Sequence, residues 1–268
     1  MCTPGMRRLK EINPRCRIYF YTHYPELVRG LWYLDEVLSS VPRKYIEMTY
    51  AESIPRAPHC HLSKIMAAKI GVRVKDVRPD CVVDVELLKR FKIAWRDLPR
   101  PHIIVQRRAG PYTPNKDWPD ESWKSLLEML LQTCTVIEIG TEVGGTILAS
   151  SNYVDLRGKT SLAELAAAIC AADVLVGPDS GPLHVAAAVK TPAVVILGGY
   201  IIPENTAYAG NRILHTPIHC SPCWLTTPCP YDRECLRRIS VQMVKKEIEE
   251  AWTSTNKVVQ DDHPAQML

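Results

Sequence analysis

The sequence predicts an α/β fold in which a parallel sheet is covered by helices on both faces. Short apolar runs at residues 103–105, 135–140 and 193–197 have the length and composition of buried strands. Segments with helical spacing separate these runs, and strands joined by helices are typical of a parallel sheet. Ligands of such sheets bind beyond the carboxyl ends of the strands, so the segments that follow these runs are candidate site regions.

The first 98 residues carry the less regular part of this pattern. A helix over residues 4–13 is expected to end at Asn13-Pro14, because proline does not continue a helix. Gly71 lies where the C-cap of a second helix is expected. The other predicted elements are strands at 17–22, 35–38 and 45–48, and the second helix at 62–70.

The remaining residues alternate more clearly between strand and helix. Asp120 and Glu121 open a helix that reaches about Gln132, since acidic side chains in a first turn suit the helix dipole. Residues 160–164 have the spacing of a capping box for a helix that runs to Ala171. Further along, the pattern gives a strand at 172–176, a helix from Pro182, a last helix from Ser240 to about Trp252, and a polar, frayed tail after Thr253.

The prolines within residues 96–101 predict a connection between two domains. We expect an incomplete N-terminal domain over residues 1–98 and a C-terminal domain over residues 99–268. The last helix is expected to pack back on the first domain.

Composition is that of an ordinary globular protein, with 46% hydrophobic and 23% charged residues. The formal charge of +4 permits an acidic ligand, and no dense Lys/Arg run indicates nucleic acid. The first residues have no apolar core of a secretory signal, and no apolar run is long enough to span a bilayer. These features predict a cytoplasmic protein with at most peripheral membrane contact.

The turn from Gly177 to His184 is the strongest local signal of a binding site. An apolar strand, a Gly-Pro-Asp-Ser-Gly-Pro turn and an Ala-rich helix follow one another there. This arrangement directs backbone N–H groups and a helix dipole at one point, which suits an anion such as a sugar-nucleotide diphosphate. The alternative is an ordinary connection between a strand and a helix.

Four side chains near predicted strand ends are candidate ligand contacts. Lys116 lies between a strand and a helix, where it either neutralises a phosphate or is a solvated loop lysine. His184 either donates to a phosphate or is satisfied by the backbone, and Asp179 either contacts a ligand or caps the helix. Glu142 either binds a ribose or is an exposed carboxylate.

The second strong signal is a group of four cysteines within sixteen residues, interrupted by prolines. Four thiolates can bind a tetrahedral metal, with zinc as the default and iron as the other option for a sulfur-only site. Disulfides and reduced thiols packed in a loop are the alternatives, and a cytoplasmic location disfavours disulfides. The four are Cys220, Cys223, Cys229 and Cys235.

Three ordered motifs show that the chain resembles glycosyltransferase family 9, the lipopolysaccharide heptosyltransferase family. Residues 116–123 read K-x-W-P-x-E-x-W, residues 158–165 read G-K-T-S-L-x-E-L, and residues 179–188 read D-S-G-P-x-H-x-A-x-A. The cysteine segment, which ends in Cys235-Leu236-x-x-Ile239, also recurs in many members. The likeness covers nearly the whole chain and is strongest from about residue 102 to residue 246.

The resemblance implies a GT-B fold, in which two Rossmann-like domains face each other across a cleft. It also implies an inverting transfer of heptose, or a related sugar, from ADP-heptose to a lipopolysaccharide-core or other glycan or protein acceptor, with no metal required for the chemistry. The acceptor would be lipid-linked or another glycan, and the enzyme would work at the inner face of the bacterial inner membrane. The implied donor-binding residues are Lys116, Thr113, Glu142, Thr160, Asp179, Ser180, Gly181 and His184.

The chain departs from the family at its first residues. Family members have a strand and a Gly-Asp turn before the helix that begins here at Thr3-Pro4, and that aspartate is the presumed general base. We therefore expect a protein that continues upstream, a fragment, or a nucleotide-sugar-binding protein that lacks the base. A different class, a Rossmann-like phosphate-binding enzyme such as an epimerase, is disfavoured because no Gly-x-Gly-x-x-Gly turn is present.

Overall fold

The computed structural model describes residues 1–49, 59–141 and 149–261, and side chains up to residue 254. The helices are α1 (Thr3–Ile12), α2 (Leu62–Lys69), α3 (Val85–Ala94), α4 (Asp120–Leu130), α5 (Leu162–Ala171), α6 (Gly181–Val189), α7 (Pro203–Thr206), α8 (Glu234–Arg237) and α9 (Val241–Asp261). The strands are β1 (Tyr19–Tyr21), β2 (Glu36–Leu38), β3 (His102–Gln106), β4 (Thr135–Ile139), β5 (Tyr153–Asp155), β6 (Val174–Gly177), β7 (Ala193–Leu197) and β8 (Arg212–His215).

The larger sheet has six strands in the order β5-β4-β3-β6-β7-β8, and all of its neighbours pair in parallel. The four inner strands are fully buried because their apolar runs face helices on both sides. The order reverses at β3, which pairs with β4 on one side and β6 on the other. A crevice therefore opens at the carboxyl ends of β4, β3 and β6.

Alternate residues of the inner strands supply two separate cores. Ile103 and Val105 pack with α4 and α9 on one face, together with Trp118 and Trp123, whose rings meet edge to face at 5.1 Å. Ile104, between them in sequence, packs with α3, α5 and α6 on the other face. This three-layer arrangement confirms the α/β prediction, since side chains of a strand alternate between its faces.

The first part of the chain forms a smaller unit with its own packing. Strands β1 and β2 pair in parallel, and Met6 of α1 lies in a core with Ile18 and Tyr33. Helix α1 packs on α2, where Gly5 approaches the Cα of Ala67 so closely that a Cβ would lie 3.0 Å away. Residues 45–48, predicted as a strand, form none, and they are mostly exposed.

Several elements differ from the sequence-based expectation. The pattern did not predict α3, β5 or β8, and α3 packs on α5 of the larger unit although it lies before the predicted domain boundary. The last helix was expected to pack on the first domain, but its buried residues pack on the larger unit. Val244, Ile248 and Ala251 of α9 are buried against α4 and the large sheet, because α9 continues to Asp261 with one apolar face.

Close packing after β7 gives a test of this fold. In Gly198→Ala the new Cβ would meet Cγ of buried Leu236 at 2.8 Å, which is shorter than a carbon contact allows. We expect a loss of about 1–3 kcal/mol of unfolding free energy, measured by denaturant titration. Gly181→Ala is the matched control, because no atom lies within 4 Å of its added Cβ. Equal stability of the two variants would contradict the packing described here.

Candidate donor-binding site

A cleft of about 790 Å³ lies where the parallel strands end. Its walls come from the end of β3, the end of β4 and the first turn of α6, so three segments far apart in sequence meet there. Six of its lining residues are Gln106, Arg107, Gly140, Thr160, Ser180 and Gly181. This is the crevice that the sheet order predicts.

The first turn of α6 faces the cleft with its helix N-terminus. Ser180 is the N-cap residue, but its side chain makes no capping bond and its Oγ instead donates to Oε1 of Gln106 at 2.5 Å. Gly177 makes this approach possible, because a Cβ there would lie 3.0 Å from the Gln106 carbonyl oxygen. The helix dipole and the unpaired N–H groups of a helix start favour an anion at this point.

Lys116 and Asp179 form an ion pair next to Ser180. The Lys116 Nζ donates to Oδ2 of Asp179 at 2.7 Å and lies 4.7 Å from the centre of the Tyr200 ring. The other carboxylate oxygen, Oδ1, is buried and has no hydrogen-bond partner among the described residues. A buried acceptor without a partner is costly, so this oxygen is suited to a donor group of a ligand.

His184 is held from behind by Tyr208. Its Nδ1 lies 2.8 Å from the Tyr208 hydroxyl, and Tyr208 also meets the ring of His61 edge to face at 5.2 Å. Burial lowers the pKa of His184 to about 4, and burial likewise lowers the pKa of His61 to about 4. Both rings are therefore neutral at pH 7, and they join α2 of the smaller unit to α6 of the larger one.

A charged cluster in the cleft wall was missed by sequence reasoning. Glu138 of β4 is 2% exposed, and it accepts hydrogen bonds from Arg107 Nε and the Tyr153 hydroxyl, both at 2.6 Å. Arg157 lies 3.4 Å from the same carboxylate and donates to Asp155, whose pKa falls to about 2 because of that hydrogen bond. The available signal was a lone glutamate in an otherwise apolar strand, which must find partners when buried.

Thr113 is buried at the start of the turn that carries Lys116. It is 1% exposed, and its hydroxyl donates to the Leu225 carbonyl oxygen at 2.9 Å while accepting from the Asn115 N–H. Asn115 Nδ2 donates to the same carbonyl and to that of Thr227 at 2.7 Å. These bonds tie the turn that carries Lys116 to the cysteine segment, and Thr113, like Lys116, is not among the residues that line the cleft.

The four cysteines lie near one another, but they do not form a preformed metal site. Burial raises the pKa of Cys223, and the charges of Cys220, Cys229 and Cys235 raise it further. All four are free cysteines. Within the described ranges, no group of three or more His, Cys, Asp or Glu side chains could hold a metal ion. The residues as placed therefore do not fit a bound metal.

The other predicted residues divide into two groups. Thr160, Ser180 and Gly181 line the cleft as expected. Glu142 lies outside the described residues. Gly140, which lines the cleft, directly follows the last residue of β4. The structure thus brings the G-K-T-S turn and the D-S-G-P turn to one cleft.

Comparison with known proteins decides the family. The model of "Glycosyltransferase family 9 (heptosyltransferase)" matches residues 60–225, which is more than half of the chain. The chain belongs to glycosyltransferase family 9. Within this family, lipopolysaccharide heptosyltransferase 1 of Pseudomonas aeruginosa is 25% identical over 193 residues, which are 64% of this chain and 53% of the relative.

A second curated relative, lipooligosaccharide heptosyltransferase 2 of Campylobacter jejuni, is 26% identical over 102 residues. That match covers 37% of this chain and 32% of the relative. The matches thus span about half and about a third of the two curated relatives.

Solved structures establish the fold of this family member as GT-B. ADP-heptose LPS heptosyltransferase II of E. coli has a TM-score of 0.66 at 16% identity and covers 96% of this chain and 95% of its own. The dodecameric iron-containing heptosyltransferase TibC, in complex with ADP-D-β-D-heptose, has a TM-score of 0.71 at 18% identity, and the match covers 96% of this chain and 74% of TibC. A family 9 glycosyl transferase of Veillonella parvula has a TM-score of 0.70 at 16% identity, and the match covers 94% of this chain and 93% of the Veillonella chain.

In the ranges 1–49, 59–141 and 149–261, no helix combines the length and apolar character that crossing a bilayer requires.

The neutral histidines predict an acid-sensitive fold. Because the folded state holds the pKa of His61 and His184 at about 4 and the unfolded value is 6.5, the unfolded chain binds more protons below pH 6.5. Unfolding free energy should be full above pH 6.5, fall between pH 6.5 and 4 by about 3 kcal/mol per histidine, and level off below. His61→Asn keeps an acceptor for the Ser63 N–H, so it should remove about half of this loss.

The control for this experiment is His23→Gln, at an exposed histidine. It should retain the wild-type dependence of unfolding free energy on pH. A flat wild-type profile between pH 6.5 and 4 would show that the two rings are not held neutral.

Proposed function

We propose that this protein is an inverting glycosyltransferase that transfers heptose, or a related sugar, from ADP-heptose. The observation that carries the proposal is the cleft at the switch point of the sheet, which is lined by the N-terminus of α6 and lies next to the Lys116–Asp179 ion pair. Printed names of relatives support the donor: one is an ADP-heptose LPS heptosyltransferase, and another is solved with ADP-D-β-D-heptose. Family membership supports the reaction class.

In this proposal the diphosphate occupies the side of the cleft near β6. The backbone N–H groups of Ser180 and Gly181 would bind its oxygens, since a helix N-terminus favours a phosphate. The Lys116 ammonium would exchange part of its bond with Asp179 for the phosphate, and neutral His184 would donate one hydrogen bond to it. The unpartnered Oδ1 of Asp179 would accept from a hydroxyl group of the sugar.

The nucleoside would occupy the other side, near the ends of β3 and β4. Gly140 and Thr160 line the cleft there. Glu142, two residues beyond Gly140, is proposed to bind the ribose hydroxyls, which carboxylates bind in nucleotide folds.

The chemistry follows from the charge that develops on the leaving group. An acceptor hydroxyl attacks the anomeric carbon of the sugar, loses its proton to a base, and the bond to the diphosphate breaks with inversion. Lys116 and the N–H groups of α6 would stabilise the negative charge on the departing diphosphate, so no metal or other cofactor is needed for this step. The base is not assigned to a residue of this chain.

Acceptor and location are proposals from the relatives' names. A lipopolysaccharide-core acceptor, or another lipid-linked glycan or protein, would place the enzyme in the cytoplasm, at most in peripheral contact with the inner face of the inner membrane. Nucleic acid is not a proposed partner.

Thermal shift with ADP-heptose tests donor binding directly. Wild type should be stabilised, because a ligand that binds the native state raises the unfolding temperature. Lys116→Ala should weaken ADP-heptose binding by about tenfold or more, as one charge-assisted bond to phosphate is lost. Lys89→Ala, at an exposed lysine that pairs with Glu86 on α3, should bind as wild type does.

Absence of stabilisation by ADP-heptose and by other nucleotide-sugars would overturn the proposed function. Binding without transfer to any acceptor would retain the donor site and overturn the catalytic part. Unchanged affinity in Lys116→Ala would remove that lysine from the site.

We also propose that a structural zinc or iron can be held by Cys220, Cys223, Cys229 and Cys235 after rearrangement of their segment. The word "iron-containing" in the description of TibC and the closeness of the four thiols support this. Metal analysis of the reduced protein should then give about one equivalent, lost in Cys220→Ser/Cys223→Ser. Near-zero metal in wild type purified with iron or zinc present would reject the site.

A further inference from the structure

Arg107 presents two unused donor groups to the cleft. It directly follows β3, lines the cleft, and its side chain is 14% exposed. Its Nε donates to Glu138 Oε1 at 2.6 Å. Among the described residues no hydrogen bond is made by its Nη1 or Nη2, so both terminal nitrogens are available to a ligand.

Glu138 fixes the orientation of this guanidinium. Its carboxylate is buried and is held on three sides, by Arg107, by the Tyr153 hydroxyl at 2.6 Å and by Arg157 at 3.4 Å. Arg157 is itself held by both oxygens of Asp155. A carboxylate with this many partners cannot turn away, so the plane of the Arg107 guanidinium is set before a ligand binds.

The charges of this cluster are compatible with binding of an anion. Arg107 and Arg157 are compensated by Glu138 and Asp155, and Lys159, whose Nζ lies 3.6 Å from Asp155 Oδ2, adds one positive charge to the cluster. The terminal nitrogens of Arg107 have no acceptor among the described residues and are not among the buried atoms that lack a partner, so a ligand in the cleft can reach them. Paired guanidinium N–H groups match the oxygens of a phosphate.

The sheet order gives the place of Arg107 along a bound nucleotide. β3 lies between β4, which leads to Gly140, and β6, which leads to Ser180 and Gly181. In the proposed function the nucleoside lies toward β4 and the terminal phosphate toward α6. Arg107 therefore lies between them, at the position of the phosphate that joins the nucleoside to the rest of the donor.

We propose that Arg107 binds the nucleoside-proximal phosphate of the nucleoside diphosphate through Nη1 and Nη2, and that Glu138 is the positioning residue for it. The proposal rests on the proposed function, because it requires a nucleotide in this cleft. It adds a phosphate contact outside the three family motifs, which begin at residue 116.

Calorimetric binding of adenosine, AMP and ADP to the full chain tests this assignment. Arg107→Gln should lower the affinities for AMP and ADP by about ten- to a hundredfold and leave the affinity for adenosine unchanged. Arg107→Lys should lose nearly as much, because one ammonium cannot bond Glu138 and also reach the phosphate with two donors. Lys116→Ala should weaken ADP and spare AMP, since it is placed at the outer phosphate.

Two further variants separate position from structure. Glu138→Asp keeps the charge but withdraws the carboxylate by one methylene, so AMP and ADP should each weaken several-fold while adenosine binding is retained. Arg100→Lys is the matched control, because Arg100 also pairs with a buried carboxylate, Asp173, but at the amino ends of the strands. It should bind all three ligands as wild type does.

The outcomes distinguish this inference from the proposed function. If wild type binds no nucleotide, including UDP and GDP, both are overturned together. If wild type binds ADP but Arg107→Gln and Arg107→Lys bind AMP and ADP with the affinities of wild type, the inference alone is overturned. If the Arg107 variants bind ADP more weakly but AMP as tightly as wild type does, Arg107 contacts the outer phosphate, and its assignment to the nucleoside-proximal phosphate is rejected.

Discussion

Parallel pairing of β3 with β4 on one side and β6 on the other is the constraint on which the site depends. The pairing places the carboxyl ends of three strands at one edge, although their residues lie up to about seventy positions apart. Helices on both faces exclude water from the strands, which makes backbone pairing the only way to satisfy their N–H and C=O groups. The cleft is the open end of this covered sheet.

Charged side chains in the cleft wall and beside it form ion pairs, and each pair leaves polar atoms without a partner among the described residues. Lys116 is held by Asp179, whose second oxygen has no partner, and Arg107 is held by Glu138, which leaves two of its nitrogens free among the described residues. Such pairing lowers the cost of burying each charge and also fixes its direction.

The cysteine segment has a structural role that is independent of metal. Its carbonyl groups at Leu225 and Thr227 accept bonds from Thr113 and Asn115, and the Cys229 N–H donates to Asn115 at 3.1 Å. The segment thereby holds the turn on which Lys116 lies. A change of state in the thiols, by metal or by oxidation, would act on this turn first.

The sequence by itself determined the four inner strands of the larger sheet and the helices between them, the Ser161–Glu164 capping box and the anion-directed turn at α6. These features depend on neighbours in sequence, so periodicity and local residue types are sufficient to find them. Only the tertiary structure decided that Thr113 is buried, that α9 packs on the sheet, and that Glu138 joins Arg107 and Arg157. Each of these depends on residues that meet only when distant segments fold together, and a one-dimensional pattern contains no measure of that distance.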